Sequence, residues 1–253
     1  VAIAQDGQQE AMEHAGRTGG LPFVGVGWYR TAFEAPAFAP GKKAFICFDG
    51  AMSHAQVYVN GQKAGYWPYG YNSFYLDVTK YLKPGAKNTL AVRLENQPES
   101  SRWYPGAGLY RNVHVVVTED AHIPVWGTFV TTPSVSREFA KVKVQTEITL
   151  PEGADPSAYA VDTRLFNPNG EVIAGVSTPL TQLPYNDGKV TQEFIVQKPT
   201  LWSPDMPALY AAESRLMAGN ELKDLYTTPF GIRSIEIIPG KGFYLNGVAS
   251  HIL

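Results

Sequence analysis

The sequence predicts an all-β protein made of two successive sandwich domains, and three observations carry that prediction. From Trp28 onward apolar residues recur with period two, the signature of half-buried strands. Turn-forming Gly (24) and Pro (19) are spread along the 253 residues rather than clustered, as many short strands joined by tight turns require. No long segment shows a 3.6-residue period, so helices are not expected.

The elements follow in order. Residues 1–20 read as irregular, with one short helix possible over Gln8–Ala15 before Gly16, Gly19 and Gly20. Ala55, Val57 and Val59 alternate with Gln56, Tyr58 and Asn60, and Asn60-Gly61 offers a type I′ hairpin turn returning through Lys63 to Trp67. Phe74, Leu76 and Val78 share one face, as do Leu90, Val92 and Leu94, with Lys83-Pro84-Gly85 as the turn between. Val113, Val115 and Val117 close this first set. After the polar junction 118–122, the row Val142, Val144, Thr146, Ile148, Leu150 gives the cleanest alternation. Further strands are predicted over Tyr159–Phe166, Glu171–Ser177, Lys189–Val196, Tyr210–Leu216 and Lys223–Thr228, separated by turns such as Asn167-Pro168-Asn169-Gly170 and Asn186-Asp187-Gly188. About seven strands in about 115 residues match an immunoglobulin-like sandwich.

Composition narrows the function. Apolar residues are 44%, charged residues 17%, and the net charge is −2 with no basic or acidic block. A packed core is expected, and neither nucleic acid nor membrane is expected as a partner. No stretch reaches the roughly 18 apolar residues of a membrane span. The single cysteine, Cys47, forbids an intrachain disulfide and reads as a buried small hydrophobe. His14, His54, His114, His122 and His251 show no metal-ligand spacing. No cofactor fingerprint is present. Asp49 before Gly50, and Asp77 before Val78-Thr79, read as turn carboxylates making Asx-type hydrogen bonds. Glu95 and Glu99 read as solvated carboxylates flanking a loop.

Five phrases, in order, carry a family resemblance: Gly25-Val26-Gly27-Trp28-Tyr29-Arg30; Phe48-Asp49-Gly50 with Val57-Tyr58-Val59-Asn60-Gly61 and Gly70-Tyr71-Asn72-Ser73-Phe74; Arg102-Trp103-Tyr104-Pro105-Gly106-Ala107-Gly108-Leu109-Tyr110-Arg111; Leu201-Trp202-Ser203-Pro204; and Phe230-Gly231-Ile232-Arg233 with Phe243-Tyr244-Leu245-Asn246-Gly247. Together they resemble glycoside hydrolase family 2, which includes β-galactosidases, β-glucuronidases and β-mannosidases. The resemblance implies a galactose-binding-like jelly-roll domain over 1–119, an immunoglobulin-like sandwich over 120–238, and over 239–253 the start of a catalytic (β/α)₈ barrel. Such a barrel takes about 250 residues of its own, so both catalytic glutamates are expected outside this chain. The stop six residues after Gly247 reads as a truncation. The implied parent is an exo-acting retaining enzyme on β-linked galactosides, with a β-glucuronidase or a β-mannosidase as the alternative, and this chain alone is expected to be inactive. A bacterial periplasmic or secreted location is preferred to the cytoplasm, and a homo-oligomer is compatible.

Sugar contact is a better prospect here than catalysis. Pyranose C–H faces stack on aromatic rings, and hydroxyls pair with planar amides, carboxylates and guanidinium groups. Residues 66–72 offer Trp67 and Tyr69 among four aromatics, and residues 96–104 offer Asn96, Glu99, Arg102 and Trp103. The resemblance implies that the second loop borders the sugar pocket of the full enzyme. The plainer alternative has Trp103, Tyr110 and Arg111 packing an interface between jelly roll and barrel. Two rival functions remain: a free-standing carbohydrate-binding module, and a structural surface protein that would leave the ordered phrases unexplained.

Overall fold

The computed structural model describes residues 25–97, 107–181 and 188–250. Among them are nineteen strands, one 3-10 turn at Pro156–Ala158 and no α-helix. The chain divides between Val117 and Thr118 into two compact units.

In the first unit the strands are β1 (Gly25–Glu34), β2 (Lys43–Phe48), β3 (Ala51–Met52), β4 (Ala55–Val59), β5 (Gln62–Trp67), β6 (Phe74–Asp77), β7 (Lys87–Asn96), β8 (Gly108–Leu109) and β9 (Val113–Thr118). One sheet has the order β1-β7-β4-β5, a second has β6-β2-β9, and β3 pairs with β8. This is the jelly-roll sandwich. The inward rows meet as the alternation requires: Ala55, Val57, Val59, Leu90, Val92 and Leu94 are buried against Ala44, Ile46, Phe48, Phe74 and Val78. At the β4–β5 hairpin Val59 pairs with Gln62, and Asn60 and Gly61 both take positive φ (49° and 80°). Both left-handed positions are what a type I′ turn demands, and its twist matches that of the strands it joins.

The second unit contains β10 (Thr128–Val135), β11 (Phe139–Glu147), β12 (Tyr159–Phe166), β13 (Val172–Pro179), β14 (Lys189–Gln197), β15 (Tyr210–Ala218) and β16 (Glu221–Phe230). They form sheets ordered β10-β11-β14 and β13-β12-β15-β16, the three-plus-four immunoglobulin-like arrangement. Val142, Val144, Phe194 and Val196 face Leu165, Tyr210, Ala212 and Phe230 in one core cluster. Ile148, Val161, Val190 and Leu216 belong to another. Between them lie polar side chains: Thr146 Oγ1 and Thr163 Oγ1 each lie within hydrogen-bond reach of Ser214 Oγ (3.2 and 3.4 Å), and Gln192 Nε2 donates to the Val161 carbonyl and Thr178 Oγ1 (both 3.0 Å). These bonds make an inward-facing Thr tolerable in the middle of an apolar row. A last sheet, β17 (Ile235–Ile238), β18 (Gly242–Leu245) and β19 (Val248–Ser250), follows in the order 17-18-19.

Strand β10 departs from the sequence reading, which placed no strand there. Its pairing with β11 shifts register between Thr131 and Ser134, so alternation is broken where Pro133 sits. A bulge tolerates a residue without an N–H. The short helix expected at Gln8–Ala15, His14, His251 and most of the 186–188 turn lie outside the described residues.

Cys47 is fully buried on β2. Burial, reinforced by the nearby Asp49 carboxylate, pushes its thiol up to about 11. At pH 8 only about one molecule in a thousand then carries the reactive thiolate. An aromatic disulfide reagent is therefore expected to leave the native protein unlabelled and to titrate one thiol after guanidinium unfolding. Rapid labelling of the folded protein would contradict this.

Candidate functional site

Two of the five sequence phrases, the second and the third, meet at one end of the first unit. Phe48, closing β2, stacks on Phe74 with ring centroids 4.8 Å apart and planes 11° from parallel. Phe74 stacks in turn on Trp67 (5.4 Å, 13°). Ser73 Oγ donates to the Asp49 carbonyl (3.1 Å), and the Asp49 amide donates to the Asn112 carbonyl (3.0 Å). Tyr110 Oη donates to the Gly70 carbonyl (2.7 Å) while its ring lies over Gly50. A Cβ on Gly50 would come within 2.8 Å of Tyr110 Oη, which is why the phrase needs glycine at that place. The Arg111 guanidinium lies 6.0 Å from the Tyr110 ring centroid.

A second arm reaches the same end. Asn96 is the last residue of β7. Next to it, the Glu95 amide donates to the Ser53 carbonyl (2.9 Å), Ser53 Oγ donates to the Glu95 carbonyl (2.9 Å), and the His54 amide donates to the Pro68 carbonyl (3.0 Å). Ser53-His54 thus ties the exit of β7 to the aromatic loop. The pairing of Met52 with Gly108 brings the far flank of residues 98–106 alongside. Asn96, Trp67 and Tyr69 therefore gather at one end. Glu99, Arg102 and Trp103 lie outside the described residues.

The aromatics there differ in role. Trp67 is half-buried on the core, and its Nε1 donates to Asn72 Oδ1 (3.0 Å), which fixes the loop. Tyr69 and Tyr71 project outward, 56% and 47% exposed, with centroids 5.5 Å apart. Two exposed rings on a hydrogen-bonded loop make a stacking surface for an apolar ligand face. Tyr71 and the Tyr110–Gly50–Gly70 knot carry this geometry. The only sequence signal for the knot is the pair of glycines inside aromatic phrases.

The carboxylates resolve individually. Asp77 Oδ1 accepts from the Thr79 amide (2.9 Å) and Thr79 Oγ1 (2.6 Å), the Asx-type turn expected. At Asp49 the hydrogen bonds run through the main chain instead. Glu95 is the penultimate residue of β7, flanking the loop that follows, and pairs with Arg93 (3.0 Å). Asp224, which the sequence did not single out, accepts from the Ile123 and Leu225 amides (both 2.8 Å). Burial holds its carboxyl above the usual range against the pull of those bonds, and its oxygens are committed to the fold. Among the described residues, no three His, Cys, Asp or Glu side chains converge to hold a metal.

The fourth and fifth phrases meet in the second unit, around Trp202. The Trp202 amide donates to the Ile232 carbonyl (2.8 Å), and the Arg233 guanidinium lies 4.5 Å from the Trp202 ring centroid. A Cβ on Gly231 would come within 2.8 Å of the Trp202 side chain. Asn246 joins this knot by donating to the Trp202 carbonyl (3.0 Å) and accepting from the Ser234 amide (3.0 Å). Leu-Trp-Ser-Pro, Phe-Gly-Ile-Arg and Leu-Asn-Gly are thus three parts of one contact.

Comparison with known proteins agrees with this arrangement. Residues 26–107 match the model described as the glycosyl hydrolase 2 galactose-binding domain-like family, and residues 121–233 match glycosyl hydrolases family 2. A β-galactosidase of Bacteroides ovatus is 39% identical over 97% of this chain and 29% of its own length. A β-glucuronidase of Formosa agariphila is 32% identical over 88% of this chain and 25% of its own. The crystal structure of a glycosyl hydrolase family 2 member from Bacteroides cellulosilyticus superposes with a TM-score of 0.79 at 35% identity, covering 88% of this chain and 29% of that one. The chain thus spans under a third of the length of these relatives.

Proposed function

The chain belongs to glycoside hydrolase family 2, and from that premise we propose that it is the non-catalytic N-terminal region of an exo-acting retaining β-galactosidase. In this reading the end of the first unit borders the sugar pocket of the whole enzyme. Tyr69 and Tyr71 stack on the substrate, Trp67 anchors their loop, and Asn96 with Glu99, Arg102 and Trp103 supplies polar and aromatic contacts beside them. The observation that carries it is the convergence of the aromatic loop and the exit of β7 through Ser53-His54. Retaining hydrolysis needs two carboxyl groups roughly 5 Å apart, one an acid and one a nucleophile. This reading assigns both to a barrel following Leu253, with the present chain supporting that barrel.

A β-glucuronide is the second substrate reading, favoured by the Formosa agariphila relative. Two measurements test the proposal. The purified 253-residue chain is expected to release no nitrophenol from nitrophenyl β-galactoside or β-glucuronide; turnover by it alone would refute the non-catalytic role. In the longer polypeptide, galactoside is expected to be hydrolysed in preference to glucuronide, and the reverse preference installs the second reading. There, Tyr69→Ala and Tyr71→Ala are each expected to lower kcat/KM about three- to tenfold through KM, the equivalent of about 0.5–1.5 kcal/mol of stacking. Unchanged kinetics in both variants would remove these rings from the site.

A further inference from the structure

We propose that the outer face of the β1-β7-β4-β5 sheet is a second carbohydrate-recognition surface, taking an oligosaccharide laid across the strands. Register builds it. Trp28 pairs with Arg93, Arg93 with Gln56, and Gln56 with Tyr66. Directly opposed residues in antiparallel strands share a face, so these four side chains form one row across the whole sheet. Their neighbours Val57 and Val92 point the other way and are fully buried, which assigns the row to the outside. An aromatic ring stands on each edge strand, with a guanidinium and an amide between them. Three inter-strand steps of about 4.8 Å set the edge strands roughly 14 Å apart, room for a short oligosaccharide rather than one ring.

The face is organised before any ligand arrives. Tyr58 lies against Trp28 (centroids 5.6 Å apart), and the Arg30 guanidinium sits 4.8 Å from the Trp28 ring centroid. Tyr58 Oη donates to Gln56 Oε1 (3.1 Å), Arg93 donates to Glu95 (3.0 Å), and Tyr66 Oη lies 2.7 Å from His54 Nδ1. Trp28 and Tyr66 nevertheless keep 42% and 45% of their surface exposed. The Glu95 contact uses one of the five N–H donors of Arg93, and Gln56, opposite Arg93 in the register, stands on the same face. Exposed rings alternating with planar hydrogen-bonding groups suit a ligand that offers apolar C–H faces and hydroxyls in turn. A protein partner is a poorer match, because carboxylates are depleted from interface cores, and here Glu95 stands among the rings, paired with Arg93. This face is separate from the Tyr69–Tyr71 rim: Trp67, next to Tyr66, points into the core.

Calorimetric titration of the 253-residue chain with galactotetraose, cellotetraose and xylotetraose tests the inference. At least one is expected to bind, with Trp28→Ala and Tyr66→Ala each weakening it about tenfold (about 1.4 kcal/mol) and Trp28→Phe retaining most of the affinity. Thermal melts of each variant verify folding. Ile237→Ala, at an exposed position of the second unit, is expected to leave this binding unchanged. Absence of binding by the native chain to all three, or full binding by the folded Trp28→Ala/Tyr66→Ala double variant, would overturn it. A loss of binding confined to Tyr69→Ala and Tyr71→Ala would likewise overturn it in favour of the rim alone.

Discussion

Phe48→Ala is expected to destabilise the first unit by about 3–5 kcal/mol, the cost of emptying a large aromatic site in a packed core. Phe48 has no exposed surface and is the inner member of the stack through Phe74 to Trp67. Its loss removes both the transferred apolar area and one face of the Phe74 contact. Relaxation is restricted because Gly50, two residues later, is pinned beneath the Tyr110 ring, so the cavity cannot readily close. Urea unfolding followed by hydrogen exchange should show early loss of protection in β2, β4 and β7, while β11, β12 and β15 keep theirs. Phe48→Leu should recover about half of the loss. A Phe48→Ala shift below about 1 kcal/mol would show that the stack contributes little.

Asn88→Ala is expected to cost about 3 kcal/mol, by leaving buried main-chain groups without partners. Asn88 is completely buried, and its amide makes every bond it can. Its Oδ1 accepts from the Lys83 amide (2.8 Å) and Asn60 Nδ2 (2.7 Å); its Nδ2 donates to the Lys83 and Ala86 carbonyls (2.9 and 2.8 Å). One side chain therefore holds the turn before β7 and, through Asn60, the tip of the β4–β5 hairpin. Asn60→Gly separates the two functions, because glycine keeps the positive φ while deleting the amide. It should cost about 1 kcal/mol and speed exchange of the Thr89 amide, which donates to Asn60 Oδ1 (3.0 Å). Equal losses in Asn60→Gly and Asn88→Ala would contradict this division.

Strands with one dry face were legible because period-two alternation is a local record of burial. The rows through Val57, Val92 and Val144 are buried as their spacing requires, and Tyr159–Phe166 forms β12 with the bounds read from the sequence. The Asn60-Gly61 turn was legible for a similar reason: its chemistry is contained in two residues. β10 was hidden because its bulge breaks the alternation that would have revealed it. The resemblance named the phrases around Gly50, Trp202 and Gly231, but their contacts join residues dozens of positions apart, and no short window contains that information.

The sequence alone determined the all-β class, the inward rows, the hairpin turn and the family, since each is written in neighbouring residues or in an ordered set of short phrases. Tertiary structure alone decided which aromatics face outward and which groups share a surface. Trp67 and Tyr69 look alike in the sequence, yet one stacks on Phe74 and the other projects. Trp28, Arg93, Gln56 and Tyr66 become one row only through strand register. The physical reason is that burial depends on what lies across the sheet, and pairing partners are chosen by the packing of the whole core rather than by adjacent residues.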